Sequence, residues 1–307
     1  MSEVKVMTKR TIKLYLKNPL AILFSFVYML LFIFLISIFL GDYLAQGMAE
    51  VYGEVEGFQS GAIRWLVDST AMAGVVMINC ILVPLNVLTI MVEDSDSNRL
   101  DSFLVSGARR ENLVFGYWLA PFVIGVIMNS LGFFLAEAVI VFNGGQWFSV
   151  ISNLEMLGLI ALNTFASTSI LFFAALLIKK VNLYSTFTGM MSALVGFVTG
   201  AFLPIGVFPE HFQKLFVLIP AHHGATLMRQ VMTKEPLQAV FGQVVDQEVK
   251  GSFMTQREIL AIYSRENGIT YYFGQVQVPP WLMLGVVVFS GVFFGVTSVW
   301  WMKKMKR

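Results

Sequence analysis

The three histidines, His211, His222 and His223, are the side chains here best suited to hold a metal or to move a proton near neutral pH. Their arrangement argues against both. Adjacent His222 and His223 point apart on a helix or a strand, so they do not converge on one ion, and no H-E-x-x-H or paired-cysteine pattern accompanies them. No metal site is expected. The single cysteine, Cys80, lies in an apolar run and reads as a small packed hydrophobe. No G-x-x-x-x-G-K-[ST] phosphate loop is present, so the chain does not cradle ATP by that device. No nucleophile–base pair can be nominated, and no catalytic residue or bound cofactor is expected. What remains are polar groups inside apolar stretches: Asn79, Asn86, Asn129, Glu137, Asn163 and Thr164, with Thr188 further along. An ionised acid at a bilayer centre costs about 2.5–3.5 kcal/mol on insertion scales. Glu137 lies near the end of its stretch at Phe142 and can reach the interface. For Asn129, Glu137, Asn163 and Thr188 two roles are open: lining a path for a substrate, or polar contacts between helices.

These residues sit in an apolar chain. Hydrophobic residues make up 57% of it and charged ones 13%, against about 25% charged in a soluble protein. A net charge of +2 suggests no nucleic-acid partner. A helix crosses a hydrocarbon core of about 30 Å with about 20 apolar residues. Six windows qualify, at about 19–41, 71–92, 113–142, 153–178, 186–208 and 279–302. The expected fold is an all-α polytopic membrane protein with six transmembrane helices. The first window exceeds the roughly 7–15 residues of a signal-peptide core, and no small-residue cleavage site precedes Gly41-Asp42. It reads as a retained span.

Lys and Arg concentrate in cytoplasmic segments. Both termini are placed on the cytoplasmic side of the cell membrane by Lys5, Lys9, Arg10, Lys13 and Lys17, by Arg99, Arg109 and Arg110, by Lys179 and Lys180, and by Lys303, Lys304, Lys306 and Arg307. The first outer loop, 42–70, is acidic. Within 3–18, Lys5, Lys9, Lys13 and Lys17 recur on one face with Arg10 nearby, opposite Val4, Met7, Leu14 and Tyr15. The spacing predicts an interfacial helix on the anionic inner leaflet, stopped by Asn18-Pro19; a disordered basic tail is the alternative. Residues 205–278 read as an extracellular cap. In it, 209–232 is too short and too interrupted by Pro220 and Gly224 to span, and reads as two short helices dipping into the outer interface. Thr255 and Glu258 start a surface helix with a capping box, Asn267-Gly268 ends it, and 270–278 allows a strand.

The most informative segment is the loop 93–112, where mixed charges surround Leu100, Phe103 and Leu104 at helical spacing. An amphipathic helix there is a lever for a soluble partner; a solvated connection is the other reading. The segment resembles the one between the second and third spans of ABC-2 type transporter permeases, where a run like E-R-E-x-G-T-L-E-x-L-L-V-S-P precedes the third helix. Asp94, Asp96, Leu100, Asp101, Leu104, Val105 and Ser106 match, and Gly116 falls where the family often has glycine. Asn98 stands where glycine is usual and Gly107 where proline is usual. Residues 3–18 look like the family's N-terminal connecting helix. Leu203-Pro204 through Arg229, with Phe208-Pro209-Glu210 and Leu218-Ile219-Pro220, is similar to its re-entrant helices. Residues 233–278 look like an insertion.

The resemblance implies a homodimer or heterodimer of permeases, each docked on a separate ATP-binding subunit that holds ATP and Mg. Asp94, Asp96, Arg99, Leu100, Asp101, Leu104, Ser106, Arg109 and Arg110 would form the coupling helix. Closure of the ATPase pair would move an amphiphilic or lipophilic substrate outward: a drug, an antibiotic or an antimicrobial peptide, as in multidrug resistance. Lipid-linked polysaccharide or sodium would be alternative cargoes. A secondary transporter or channel would instead call for inverted repeats and paired intramembrane charges, and neither is found.

Overall fold

The computed structural model describes residues 3–53, 55–105, 109–202, 206, 208–249, 252–273 and 276–304. Helix α1, Glu3–Leu16, is separated from α2, Pro19–Leu35, at Asn18-Pro19, where proline disfavours helix at the residue before it. The expected break at Gly41-Asp42 does not occur. One π-helical segment, Ile36–Leu40, carries α2 into α3, Gly41–Tyr52. Arg64 explains the continuation. It donates to the Ser37 carbonyl at 2.6 Å within the wide turn and pairs with Asp42 just beyond it, so a neighbouring side chain supports the irregular turn.

The next helix, α4, spans Ile63–Asp96, longer at both ends than its window, so that the acidic loop 42–70 is largely helical. Short α5, Arg99–Val105, follows, then α6, Arg110–Phe142, α7, Val150–Leu177, and α8, Val181–Val198. Helices α9, Glu210–Phe216, and α10, Pro220–Phe241, precede the strands β1, Gln247–Val249, and β2, Ser252–Met254. Helix α11, Gln256–Glu266, the strands β3, Tyr272–Phe273, and β4, Val276–Gln277, and α12, Pro280–Lys304, complete the chain. Among the described residues six helices are long and apolar enough to cross a membrane. The chain is an all-α polytopic membrane protein.

The bundle is built around α4, with α6, α7, α8 and α10 against it. Leu66, Met72, Val76, Leu85 and Val92 of α4 are fully buried, as is Cys80. By contrast α2 and α8 leave Leu31, Phe34, Leu183 and Leu194 exposed, which suits lipid or protein neighbours rather than water. The fifth span is shorter than 186–208 because a local closure stops it. Gly200 takes φ +67°, Gly200 N–H donates to Phe197 O at 3.1 Å, and Ala201 N–H donates to Gly196 O at 3.0 Å. That pair of bonds satisfies the last carbonyls of a helix and needs a residue free to adopt the left-handed conformation.

Gly224 does not interrupt α10. The helix starts with Pro220 in its first turn, where a missing N–H costs nothing, and runs through Gly224 to Phe241. A Cβ at 224 would collide with Asn163 of α7 and crowd Met77 of α4, so this glycine permits close approach. His222 and His223 are buried in α10. Both halves of the Thr255–Glu258 capping box are formed. The strand expected at 270–278 is a two-stranded hairpin, Tyr272 opposite Gln277 and Phe273 opposite Val276.

Helix α10 also starts α7. Glu235 accepts from Ser149 N–H at 3.1 Å and from Ser152 Oγ at 2.7 Å. Partial burial pushes the Glu235 carboxyl up, but these bonds outweigh it and hold the group below its usual range. A depressed carboxylate stabilises the fold above its unfolded pKa of about 4.3, and that contribution is lost as pH falls through the folded value. Glu235→Gln is therefore expected to cost about 1 kcal/mol at pH 7. The gap to the native protein should close below about pH 4. Thermal unfolding in detergent at both pH values measures it; a gap that persists at low pH would exclude the carboxylate as its source.

Candidate functional site

The N-terminal helix, the α4–α6 connection, the α7–α8 turn and the end of α12 meet at one end of the bundle. Asp94, in the last turn of α4, is 1% exposed and organises this end. It accepts from both terminal nitrogens of Arg10, at 2.6 and 3.1 Å, and from the Tyr117 hydroxyl at 2.6 Å. Arg99 lies 3.4 Å from its other oxygen. A two-pronged guanidinium–carboxylate contact fixes orientation as well as distance, so one buried carboxylate ties α1, α4, α5 and α6 together. Bonding to Asp94 holds the Arg10 guanidinium above its ordinary pKa, against the effect of burial, and the group stays charged. Its other face lies over the Phe103 ring, 5.1 Å from the centroid.

The turn between α4 and α5 explains a departure from the expected motif. Asn98 adopts φ +57°, the left-handed conformation for which glycine is the default and asparagine the usual substitute. Asparagine is thus compatible with a turn at which glycine would also serve. In α5, Leu100 and Phe103 pack on the bundle, while Arg99, Ser102 and Val105 face outward, Val105 at 88% exposed. Ser106 lies outside the described residues, as do the side chains of Asp101 and Leu104.

Helix α1 docks on α6 through close approach. Met7 lies over Gly116, where a Cβ would stand 2.7 Å from the Met7 side chain. Glu3 accepts from Arg109 N–H at 3.0 Å and from Asn112 Nδ2 at 2.7 Å, and the Asn112 bond leads in lowering its pKa. Lys5, Lys9, Lys13 and Lys17 are exposed. The face opposite is not simply apolar and free: Met7, Thr8, Thr11 and Tyr15 are buried against protein, while Leu14 is exposed with Val6 and Leu16. On the far side of α4, Asp96 accepts from Lys180 Nζ at 2.8 Å and from Val181 N–H at 3.2 Å, starting α8. Arg110 is half-buried in the first turn of α6. A cavity of about 450 Å³ opens beside the cluster, lined by Tyr15, Asn18, Tyr28, Asn86, Glu93 and Arg99 among others.

Architecture and this junction together raise the question of kinship. The model of the ABC-2 type transporter family matches residues 2–233. The chain belongs to the ABC-2 type transporter family. No curated protein matches it. Membership makes this chain the membrane subunit of an ABC transporter, a class that works with an ATP-binding subunit. In this transporter the match ends inside α10, and the remainder holds α11, the two hairpins and the last span.

The four polar residues singled out inside the spans are not brought together. Asn129 of α6 donates to Thr164 Oγ1 of α7 at 3.1 Å, a contact between helices. Glu137, 1% exposed, accepts from Phe148 N–H at 2.8 Å and so holds the turn into α7. Asn163 bonds the Leu159 carbonyl of its own helix at 2.9 Å and leaves its Oδ1 unpaired beside Gly224. Thr188 bonds the Tyr184 carbonyl within α8 at 2.9 Å. Sequence reading passed over Tyr117, Glu3 and Asn112. Tyr117 directly follows the recognised Gly116, but only the packing of α6 on α4 turns its hydroxyl to Asp94.

Proposed function

We propose that this chain is the permease subunit of an ATP-driven exporter that moves an amphiphilic or lipophilic compound out across the cell membrane. The observation that carries the reading is the Asp94 junction. A short amphipathic helix, α5, is tied to Asp94 of α4 by its own Arg99 and to α1 by Phe103 under Arg10, while Arg10 and Tyr117 join α1 and α6 to the same carboxylate, so a force on α5 reaches α1, α4 and α6 at once. A soluble ATPase docked on α5, with ATP and Mg in its own site, would push there. Both termini are cytoplasmic in this reading, with Lys5, Lys9, Lys13 and Lys17 on the anionic inner leaflet, and α9 with α10 re-enters from outside. Two permeases pair, as homodimer or heterodimer, through surfaces that include the exposed sides of α2 and α8. ATP can drive the change only by gripping the closed ATPase pair more tightly than the open one.

Purified from its own membrane in mild detergent, the chain should carry a soluble ABC ATPase with it. Asp101→Arg should release that ATPase while leaving the helical content unchanged. A chain that carries no ATPase, together with transport that Asp101→Arg does not alter, would overturn the proposal.

A further inference from the structure

Helix α10 carries a polar stripe in the interior of the bundle. His222, Thr226, Arg229 and Thr233 recur at spacings of four, three and four and share one face, and each is at most 1% exposed. Arg229 donates from one terminal nitrogen to the Thr199 carbonyl at the end of α8, at 2.5 Å. Its other terminal nitrogen has no partner, and it takes part in none of the ion pairs among the described residues. The hydroxyl of Thr226 is also unpartnered, and the His222 ring faces the Val198 carbonyl at the end of α8 without a well-formed hydrogen bond. Side chains on a helix lean toward its N-terminus, so the guanidinium reaches back over the turn of Thr226 toward His222. The nitrogen bonded to Thr199 packs against Gly74 of α4 beside Ala201.

One carbonyl is poor compensation for a buried cation with five donors. Such groups are normally paired, because an ionised group away from water is costly. The groups that share its face are an unpartnered hydroxyl, Thr226, and an imidazole, His222, both able to donate, and no carboxylate belongs to the stripe. We propose that Arg229, with Thr226 and His222, forms an anion-binding station inside the bundle that receives a phosphate or similar anionic group. On the exporter reading, from which this takes only its place on the route, the substrate is then an anionic amphiphile rather than a neutral one. Thr199 would hold the guanidinium when the station is empty, and the ligand would engage the free nitrogen.

Binding can be measured without the ATPase, so it stands or falls apart from the export reading. The full chain is placed in nanodiscs of phosphatidylcholine and titrated with dodecyl phosphate, dodecanol and inorganic phosphate by equilibrium dialysis. Dodecyl phosphate should bind the native chain at least tenfold more tightly than Arg229→Met, and dodecanol should bind both alike. Competition by inorganic phosphate would identify a free anion as sufficient; its failure to compete would identify the headgroup of an amphiphile. Arg229→Met should unfold at the same or a higher temperature, because it removes a buried unpaired charge. Equal binding of dodecyl phosphate to both chains would overturn the proposal. So would a destabilised Arg229→Met whose weaker binding disappears as a difference once only the folded fraction is counted: that pattern belongs to a mere cap on α8.

Discussion

Asp94→Asn is expected to destabilise the fold by about 2–3 kcal/mol and to uncouple ATP hydrolysis from transport. Removing one partner of a buried ion pair costs about 3–5 kcal/mol when the charge left behind stays buried. Arg10 retains 27% exposure, so it can turn part of its guanidinium to water and the loss falls below that range. Asparagine keeps the volume and one acceptor for Tyr117, so the change isolates the charge. The mechanical consequence is larger than the energetic one. With Arg10 released, α1 loses its strongest tie to α4, and a push on α5 no longer travels to the N-terminal helix. Unfolding in lipid nanodiscs should show the loss of stability. In the assembled complex, ATPase activity should persist while transported substrate per ATP falls at least several-fold. A variant with native stability and native transport per ATP would remove Asp94 from its organising role. Tyr117→Phe is the milder control, because it deletes one hydrogen bond and leaves the ion pair intact.

The hydrophobic windows and the class of fold were legible in the sequence because length and apolarity are one-dimensional properties. The ends of the helices were less so. Gly41-Asp42 looks like a stop, yet Arg64, more than twenty positions later, supports the helix through it. Gly224 looks like a break, yet it is a contact surface for Asn163. In both cases the deciding group comes from another helix, and no local pattern announces it. The junction was legible in part. The charged loop stood out, and Asn98 proved to sit in the left-handed conformation that glycine also adopts readily. That Arg10, assigned to the membrane surface by its spacing, turns inward to Asp94 depends on how α1 docks through Gly116. The lysines around it point the other way.

At the opposite end of the bundle, Arg64→Met is expected to cost about 3–5 kcal/mol, the largest loss from any single change considered. Asp68 is fully buried and accepts from Arg64 Nε at 2.9 and 3.0 Å and from Asn143 Nδ2 at 2.7 Å. Without Arg64 its charge keeps only the amide of Asn143. The same change frees Asp42 and uncovers the Ser37 carbonyl, the two contacts that carry α2 through its π-helical turn into α3. These effects can be separated by the double variant Arg64→Met with Asp68→Asn. If the stranded carboxylate dominates, neutralising it should return about 2 kcal/mol or more, well outside additivity. If the tether on α3 dominates, the double variant should be no more stable than the single one. In that case the π turn relaxes toward α-helix, and one residue of slip rotates α3 by about 100°. Met48, now 7% exposed in a cluster with Val240, Phe241 and Tyr263, would swing away from it. A cysteine at position 48 reports the rotation: thiol labelling should stay slow in the Arg64 background and become fast in Arg64→Met only if the arginine holds the turn.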